Sequence, residues 1–327
     1  MKRVLLLDTS VGSDNKGDDI IMECLRDELS FILNQSYEMT LPTHVSPFHW
    51  YQVFRNSSYL HYFSDCNYKF VGGTNLLIPN LLTHFPQWNI NLFNYLPLKG
   101  SILVGVGAGA DYEDVKGIKA IYTKHLYKNL LNRTIKHSAR DSRTKVYLDS
   151  LGIDSINTGC VTTWKLTPAF CKSIPRRKAD SVVFTLTASP TLDLRDQELI
   201  DVLLRNYHAV YYWPQGVKDY EYFNLFKNIQ NIQIISSSKD SYRDFLMSHE
   251  VDYVGTRLHA GIYALRHHRR SIIIVIDERA RAINSDINLP SIEKTCIGGL
   301  DDMINSAFST DIKIDLETIS EWKKQFA

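Results

Sequence analysis

The sequence predicts an α/β protein with two domains, each built on a largely parallel β-sheet. Its 327 residues exceed what one hydrophobic core usually organises, so two domains are expected. Short apolar runs alternate with segments of helical periodicity, which is typical of parallel sheets covered by helices. The alternation pauses at a stretch with two prolines and a basic cluster, residues 167–180, and then begins again. We therefore expect two Rossmann-like domains that face a cleft.

The first half alternates strands and helices from its beginning. Its predicted strands cover residues 4–7, 68–71, 101–106 and 155–159. A polar loop leads into a helix near Ile20, and further helices cover 118–132 and 144–151. Gly152 follows the last of these and is a natural helix stop. This half is predicted to form the first domain, residues 1–165.

The second half repeats the architecture but not the sequence of the first. Its predicted strands cover residues 181–186, 209–213, 232–235, 251–254 and 271–276, and its helices cover 196–204 and 241–247. We expect a second domain over residues 180–312. A last helix lies within 313–327, and we expect it to pack back on the first domain.

Composition narrows the class of protein. A hydrophobic content of 44% and a charged content of 22% are those of an ordinary globular protein. The net charge of +1 argues against nucleic acid as a partner. The five cysteines are scattered without a CxxC pair, so neither a zinc site nor a disulfide framework is indicated. No apolar run is long enough to span a membrane, and we expect a cytoplasmic protein.

Polar loops follow most of the predicted strands. In open parallel sheets, ligands bind beyond the carboxyl ends of the strands. Seven loops occupy such positions in this chain: residues 12–19, 72–75, 107–111, 138–141, 215–219, 255–259 and 277–281. These loops are the main argument from the residues for an enzyme with a cleft.

The most informative of these loops joins the strand at 251–254 to a helix. Thr256 is predicted to be the N-cap, and Arg257 and His259 then lie beside the backbone N–H groups of the first helical turn. A permanent cation, a titratable imidazole and a helix N-terminus together suit an anionic ligand. The alternative is that Arg257 pairs with a nearby carboxylate and that His259 is a satisfied buried residue.

Four segments, taken together, resemble the polysaccharide pyruvyl transferase family. They are Gly12-x-x-Asn15-x-Gly17-Asp18, Val71-Gly72-Gly73-Thr74, Ser138-Ala139-Arg140-Asp141 and Gly255-Thr256-Arg257-Leu258-His259-Ala260. Their order and spacing carry the resemblance over nearly the whole chain. It implies a fold like that of the two-Rossmann-domain, GT-B-like glycosyltransferases, with the acceptor on the first domain and the donor on the second.

The resemblance also implies an activity. Such enzymes transfer the enolpyruvyl group of phosphoenolpyruvate onto sugar hydroxyls as a ketal, in surface polysaccharide biosynthesis. It points to Arg140, Arg257 and His259 as donor-site residues. Two arginines can clamp a carboxylate and a phosphate, and His259 is the candidate general acid because imidazole titrates near neutral pH. The partners are then phosphoenolpyruvate and a sugar or lipid-linked saccharide, with no cofactor or metal.

Other residues are assigned to substrate from the loops in which they stand. The candidate general base is Asp18, ahead of Asp111 and Glu278. The remaining candidates for substrate contact are Gly12, Asn15, Gly73, Thr74, Gln215 and Glu278.

Two alternatives stay open at this point. One is a GT-B-type glycosyltransferase that uses a nucleotide-activated sugar and holds its ribose with Glu278. The other is a non-catalytic protein that binds an anion or a sugar on the same fold. The chain departs from the family pattern at Thr74, where glycine is more usual, and at Arg279 and Arg281, where a lysine motif is common.

Two basic clusters are assigned less specific roles. We expect residues 267–270, His-His-Arg-Arg, to be the solvated end of the Arg257 helix, where cations suit the helix dipole. Residues 176–178, Arg-Arg-Lys, are expected to form a solvated linker that could meet lipid phosphates, so peripheral membrane contact is the expected extent of membrane association.

Overall fold

The structure is a computed structural model that describes residues 1–55, 57–83, 86–109 and 116–327. The side chains of Ser57, Tyr59, Glu278 and Arg279 lie outside this description. Residue contacts divide the chain into two units. Unit 1 comprises residues 1–13, 21–164 and 315–327, and unit 2 comprises 14–20 and 165–314. The predicted first domain also held residues 14–20, which the structure groups with unit 2.

The described residues form twelve strands and fourteen α-helices. The strands are β1 Lys2–Asp8, β2 Ser36–Pro42, β3 Tyr68–Gly72, β4 Ser101–Val104, β5 His137–Ala139, β6 Ser155–Asn157, β7 Ser181–Thr185, β8 Ala209–Tyr212, β9 Gln233–Ile234, β10 Val251–Gly255, β11 Ser271–Val275 and β12 Ser291–Glu293. The helices are α1 Lys16–Glu28, α2 Ser30–Leu33, α3 Trp50–Arg55, α4 Ser57–Ser64, α5 Ile118–Leu130, α6 Ser142–Leu151, α7 Pro168–Cys171, α8 Leu194–Asn206, α9 Val217–Phe223, α10 Lys239–Ser248, α11 Leu258–Arg266, α12 Glu278–Ile287, α13 Leu300–Asn305 and α14 Leu316–Lys324. None of these helices is long and apolar enough to cross a membrane.

Unit 1 is built on a parallel sheet in the order β2-β1-β3-β4. A parallel pair, β5 and β6, continues it through a bridge between Val106 and Ala139. The central strand β1 is an apolar run that is completely buried from Val4 to Leu7, as expected for a strand covered by helices on both faces. The last helix, α14, belongs to this unit, and the indole of Trp322 donates a hydrogen bond to the carbonyl of Lys136 at 2.8 Å.

Unit 2 contains a six-stranded parallel sheet in the order β12-β11-β10-β7-β8-β9. The chain starts at β7 near the middle, moves outward through β8 and β9, and returns to β10 on the other side of β7. The strand order therefore reverses between β7 and β10. In doubly wound sheets, a crevice for ligands opens beyond the carboxyl ends of the strands at this switch point.

A buried ion pair connects β10 with helix α13 in unit 2. Arg270 is 1% exposed, and its guanidinium donates to Asp252 at 2.7 Å and to the carbonyls of Met303, Ile304 and Ser306. The prediction that residues 267–270 form a solvated helix end is therefore wrong for Arg270. Its carboxylate and carbonyl partners replace the water that a buried guanidinium loses.

A second buried titratable group lies in unit 1. His137 receives a hydrogen bond from the Leu103 amide at 3.1 Å, and its other ring nitrogen lies 2.9 Å from the Asn132 carbonyl. Burial lowers the pKa of His137 from 6.5 to about 4. The neutral ring therefore satisfies both partners and joins β4 to β5.

The depressed pKa of His137 predicts a pH dependence of stability. Below pH 6.5 the unfolded chain binds a proton that the folded protein does not bind until about pH 4, so the stabilising contribution is complete above pH 6.5 and is lost as the pH falls toward 4. We expect His137→Gln to remove about 2 kcal/mol of the difference between the unfolding free energies at pH 7 and pH 5, measured by urea denaturation. His125→Gln, a change at an exposed position of α5, is the control. Equal pH dependence in wild type and His137→Gln would contradict the assignment.

Candidate active site

The carboxyl end of β10 carries the candidate site, and β7 holds it in place. The amide of Thr256 donates to the Thr185 carbonyl at 3.1 Å, and the amide of Arg257 donates to the Thr185 hydroxyl at 3.2 Å. The Tyr253 hydroxyl donates to the Arg257 carbonyl at 2.7 Å. Three hydrogen bonds therefore fix the backbone on both sides of Arg257 at the switch point of the sheet.

Gly255 allows this arrangement because β7 and β10 approach closely there. A Cβ atom at position 255 would lie 2.5 Å from the Thr185 hydroxyl and 2.7 Å from the Thr185 backbone nitrogen and oxygen. Such distances are far below van der Waals contact. The glycine in this motif is therefore required by the spacing of two strands.

Thr256 is not the N-cap that the sequence predicted. Its amide extends the pairing of β10 with β7, and its hydroxyl lies 3.0 Å from the Thr187 hydroxyl. The N-cap position is taken by Arg257, and no side chain caps α11. By contrast, Asp141, Asp193, Ser238 and Asp277 cap α6, α8, α10 and α12. The side chain at the N-cap therefore does not accept the backbone N–H groups of the first turn of α11, as capping side chains do elsewhere.

Arg257 forms a bidentate pair with Asp219. Its Nε donates to Asp219 at 3.1 Å, and its Nη2 lies 2.6 Å from both carboxylate oxygens. Asp219 is 1% exposed and also accepts the amide of Ala188 at 3.0 Å. The carboxylate therefore fixes the plane of the guanidinium. Within the described residues, Nη1 of Arg257 makes no hydrogen bond, and the side chain is 24% exposed.

His259 lies in the first turn of α11, next to the loop that opens α1. A Cβ atom at Gly17 would lie 3.5 Å from Nδ1 of His259, so the glycine backbone passes directly beside the imidazole. Asn15 shapes this loop, because its side-chain oxygen accepts the Gly17 amide at 3.1 Å and its carbonyl accepts the Asp18 amide at 3.0 Å. Asp18 is buried in the first turn of α1.

Gln215 joins the same group of residues. Its carbonyl accepts the Lys16 amide at 3.1 Å. The residue is 2% exposed, yet its side-chain nitrogen has no hydrogen-bond partner among the described residues. A buried amide donor is costly to leave unsatisfied, which marks this nitrogen as a position for a ligand atom or a water. Unit 2 thus brings together Asn15, Asp18, Gln215, Arg257 and His259.

The predicted site residues of unit 1 form a separate network. Arg140, with a side chain 3% exposed, donates to Asn75 at 2.6 Å and to Asp141 at 3.2 Å. Its guanidinium packs against Gly107, where any side chain would collide with it. Gly107 in turn donates to the Thr74 carbonyl at 2.8 Å. The structure therefore gives Arg140 well-defined partners within unit 1, and its contact with a donor stays a prediction.

The remaining candidates have varied surroundings. Gly73 lies against the carbonyl of Gly105, where a side chain would collide, so close packing of β3 and β4 requires it. Gly12 is exposed and has a φ of +81°, a backbone conformation that favours glycine. Asp111 and the side chain of Glu278 lie outside the described part of the chain.

Two residues that organise the site were not predicted. Asp219 stands in one of the polar loops that the sequence singled out, 215–219, but its partner Arg257 is 38 residues away. Thr185 ends an apolar run and carries no sequence signal of its own. Only the pairing of β7 with β10 shows that its hydroxyl supports Arg257.

Solved structures share the architecture of this chain. The UDP-GlcNAc 2-epimerase of Methanocaldococcus jannaschii has a TM-score of 0.57 at 12% identity, with 99% of each chain covered. S. aureus MnaA, in a co-structure with UDP, has a TM-score of 0.50 at 9% identity, with 98% of this chain and 94% of that chain covered. At these identities the likeness concerns the fold alone. The predicted class, α/β with two Rossmann-like, GT-B-like domains, is confirmed.

Comparison of the sequence with protein families identifies the family of this chain. The family model described as polysaccharide pyruvyl transferase matches residues 15–278. This range contains the last three of the four motifs in full and the first motif from Asn15 onward. The chain belongs to the polysaccharide pyruvyl transferase family, and it is a transferase. No curated protein sequence matches it significantly.

The close approach at Gly255 makes a testable prediction. Gly255→Ala forces β7 and β10 apart, and we expect a loss of about 1–3 kcal/mol of stability, seen as a melting temperature lower by several degrees. Gly298→Ala is the matched control, because its Cβ would find only one atom, at 4.0 Å, and we expect a change within about 0.5 kcal/mol. Equal melting temperatures for Gly255→Ala and Gly298→Ala would show that β7 and β10 leave room for a side chain at position 255.

Proposed function

We propose that this transferase moves the enolpyruvyl group of phosphoenolpyruvate onto hydroxyl groups of a saccharide, where it forms a ketal. Family membership supports a pyruvyl transferase acting on polysaccharide. One observation supports the donor: an uncapped helix N-terminus at the switch point of unit 2, flanked by an immobilised Arg257 and by His259. Phosphoenolpyruvate is a small molecule with two anionic groups, and such a site suits it.

Two kinds of group bind the donor: the charged guanidinium of Arg257 and neutral N–H groups. Asp219 neutralises much of the charge of Arg257, so the guanidinium alone is a modest source of attraction. Its Nη1 can still donate to a carboxylate or a phosphate oxygen. The N–H groups at the start of α11 and the unsatisfied nitrogen of Gln215 are further donors. Their fixed orientation compensates for the low net charge, because no donor has to be reorganised when the ligand binds.

The chemistry assigns the proton transfers to His259 and Asp18. His259, as imidazolium, protonates the methylene carbon of phosphoenolpyruvate, and the neighbouring carbon gains oxocarbenium character. A saccharide hydroxyl attacks that carbon and gives its proton to a base, for which Asp18 is the candidate. A second hydroxyl of the same sugar then bonds to that carbon and closes the ketal, while the carbon–oxygen bond to phosphate breaks and the hydroxyl proton leaves with the phosphate. Arg257 stabilises the negative charge on the donor throughout.

Substitutions at Arg257 and His259 separate binding from chemistry. Arg257→Lys loses the planar fork that matches Asp219, and we expect the dissociation constant for phosphoenolpyruvate, measured by calorimetry, to rise about 10-fold or more. His259→Gln keeps the size and a hydrogen-bonding group but no acid, and we expect binding to change by only a few-fold. Phosphate release in the presence of a saccharide panel should then fall by about 10²–10⁴-fold.

Arg205→Lys is the control for Arg257→Lys, because Arg205 lies on α8 with a side chain 62% exposed, and its ion pair with Asp301 is long, at 3.9 Å. Circular dichroism and melting temperature establish that each variant folds. Phosphate release within two- to three-fold of wild type in both Arg257→Lys and His259→Gln would contradict the proposed mechanism.

A ligand panel tests the donor directly. We expect phosphoenolpyruvate without added metal to raise the melting temperature, since a ligand that binds only the folded state stabilises it. Sulfate at the same ionic strength controls for general anion effects. Stabilisation by nucleotide sugars and not by phosphoenolpyruvate would favour a glycosyltransferase instead. Stabilisation by phosphoenolpyruvate without turnover of any acceptor would favour a binding protein.

A further inference from the structure

Unit 1 exposes a group of large apolar side chains that the proposed function does not use. They lie on α3, on α4 and on the loops at 43–48 and 89–96. We define the aromatic surface by six of them: Val45, Trp50, Tyr51, Phe54, Tyr62 and Phe93. Trp50 is 62% exposed and Phe54 is 63% exposed. Isolated exposed apolar residues are ordinary, whereas several on adjoining segments indicate an interaction surface.

The local sequence explains why these side chains point outward. Phe48, Leu60 and Phe63 are buried in the core of unit 1 and anchor the segment. Helix α3 has no fully buried residue, and its Val53 is partly buried against the core of unit 1. Trp50 and Phe54 are four residues apart and share one face of that helix. Because both side chains are largely exposed, the helix presents an aromatic face to solvent.

The neighbouring loops are held to this segment by hydrogen bonds. The side-chain amide of Asn94 donates to the Ser46 hydroxyl at 3.0 Å, and the Asn89 amide donates to the Thr43 carbonyl at 2.8 Å. The loop that carries Phe93 therefore lies beside the loop that carries Val45. The exposed apolar residues consequently belong to adjoining parts of one unit.

The charge of this region is one-sided. Residues 39–64 contain no aspartate or glutamate, and Asp65 is the single carboxylate between positions 39 and 110. The carboxylate of Asp65 lies 3.8 Å from the ring of His61. Arg55, His49 and His61 are exposed beside the aromatic residues. An approaching phosphate would thus meet one guanidinium, two imidazoles and aromatic rings, with one carboxylate that already faces an imidazole.

We propose that the aromatic surface docks on a bilayer that contains anionic phospholipid. Tryptophan and tyrosine prefer the headgroup level of a membrane, where the ring is shielded and its polar atom stays hydrated. A helix face with aromatic side chains and neighbouring cations binds in this interfacial manner. Carboxylates are scarce in this region, and a carboxylate would repel lipid phosphates. Binding of a protein partner would not require carboxylates to be absent, so their scarcity favours a phosphate-rich surface. This inference does not depend on the transfer reaction, although a lipid-linked saccharide would be presented at the same surface.

Trp50 supplies a specific probe. The other four tryptophans, at positions 88, 164, 213 and 322, are at most 3% exposed, so a change caused by an added surface reports mainly on Trp50. We expect vesicles that mix phosphatidylcholine with the anionic lipid phosphatidylglycerol to shift the emission to the blue. Vesicles with brominated acyl chains should quench it. An unchanged spectrum with both kinds of vesicle would overturn the proposal.

Cosedimentation with the same vesicles tests the residues. We expect Trp50→Ser/Phe54→Ser to weaken vesicle binding about 10-fold or more, and phosphate release with a soluble saccharide to stay at the wild-type level. The control pair is Leu194→Ser/Leu225→Ser, at exposed positions of unit 2, and it should bind vesicles like wild type.

Three results would count against a membrane. Equal vesicle binding by the two double variants would overturn the assignment of the surface. So would concentration-dependent self-association that Trp50→Ser/Phe54→Ser abolishes, since a second copy would then cover the surface. Saturable binding of a soluble saccharide that the same variant abolishes would assign the rings to sugar stacking. Loss of transfer activity in the Arg257 and His259 variants leaves all of these measurements unaffected, so this proposal and the proposed function can fail separately.

Discussion

The close approach of β7 and β10 at Gly255 is the constraint on which the candidate site depends. Because no side chain separates the two strands there, Thr185 accepts the amides of both Thr256 and Arg257. The chain then passes from strand to helix within two residues. Arg257 and His259 are therefore positioned by sheet pairing, which is the most rigid part of an α/β domain. Donors that are in place before a ligand arrives need no reorganisation when charge develops.

The pairing of Arg257 with Asp219 changes what the site can recognise. An isolated guanidinium would attract any anion, whereas a guanidinium held by a buried carboxylate contributes little net charge. Selectivity must then come from the placement of neutral donors, such as the start of α11 and the nitrogen of Gln215. Of the two interpretations of Arg257 that the sequence left open, the structure shows the pairing with a carboxylate, and the binding of an anionic ligand stays a prediction. That pairing is also what aims the remaining nitrogen.

Periodicity predicted the parallel strands of both halves because buried strands are continuous apolar runs. It missed β5, a buried strand of only three residues, His-Ser-Ala, that contains no apolar run. It also missed β2 and β12, which lie at sheet edges and are largely half-buried or exposed, so their sequences carry no such run. The motif from Gly255 to His259 was visible in the sequence. The partner of Arg257 was not, because local patterns do not reveal a carboxylate 38 residues away. The same limit explains Arg270, which was predicted to be solvated and instead pairs with Asp252. Thr256 was a wrong N-cap because its amide continues the pairing with β7 beyond the end of β10.

Arg140 and Arg257 look equivalent in the sequence but occupy physically different environments. The side chain of Arg140 is 3% exposed, and it holds Asn75 and Asp141 against the turn at Gly107. Removing it would leave a buried carboxylate and a buried amide without their partner, which is costly for the fold. Arg257 is 24% exposed and keeps one nitrogen outside its ion pair. A loss of activity at position 140 would therefore mix folding with chemistry. Removing Arg257 would also leave a buried carboxylate, Asp219, without its guanidinium. Arg257→Lys keeps a cation beside Asp219, so a loss of activity in that variant at an unchanged melting temperature would report on the ligand.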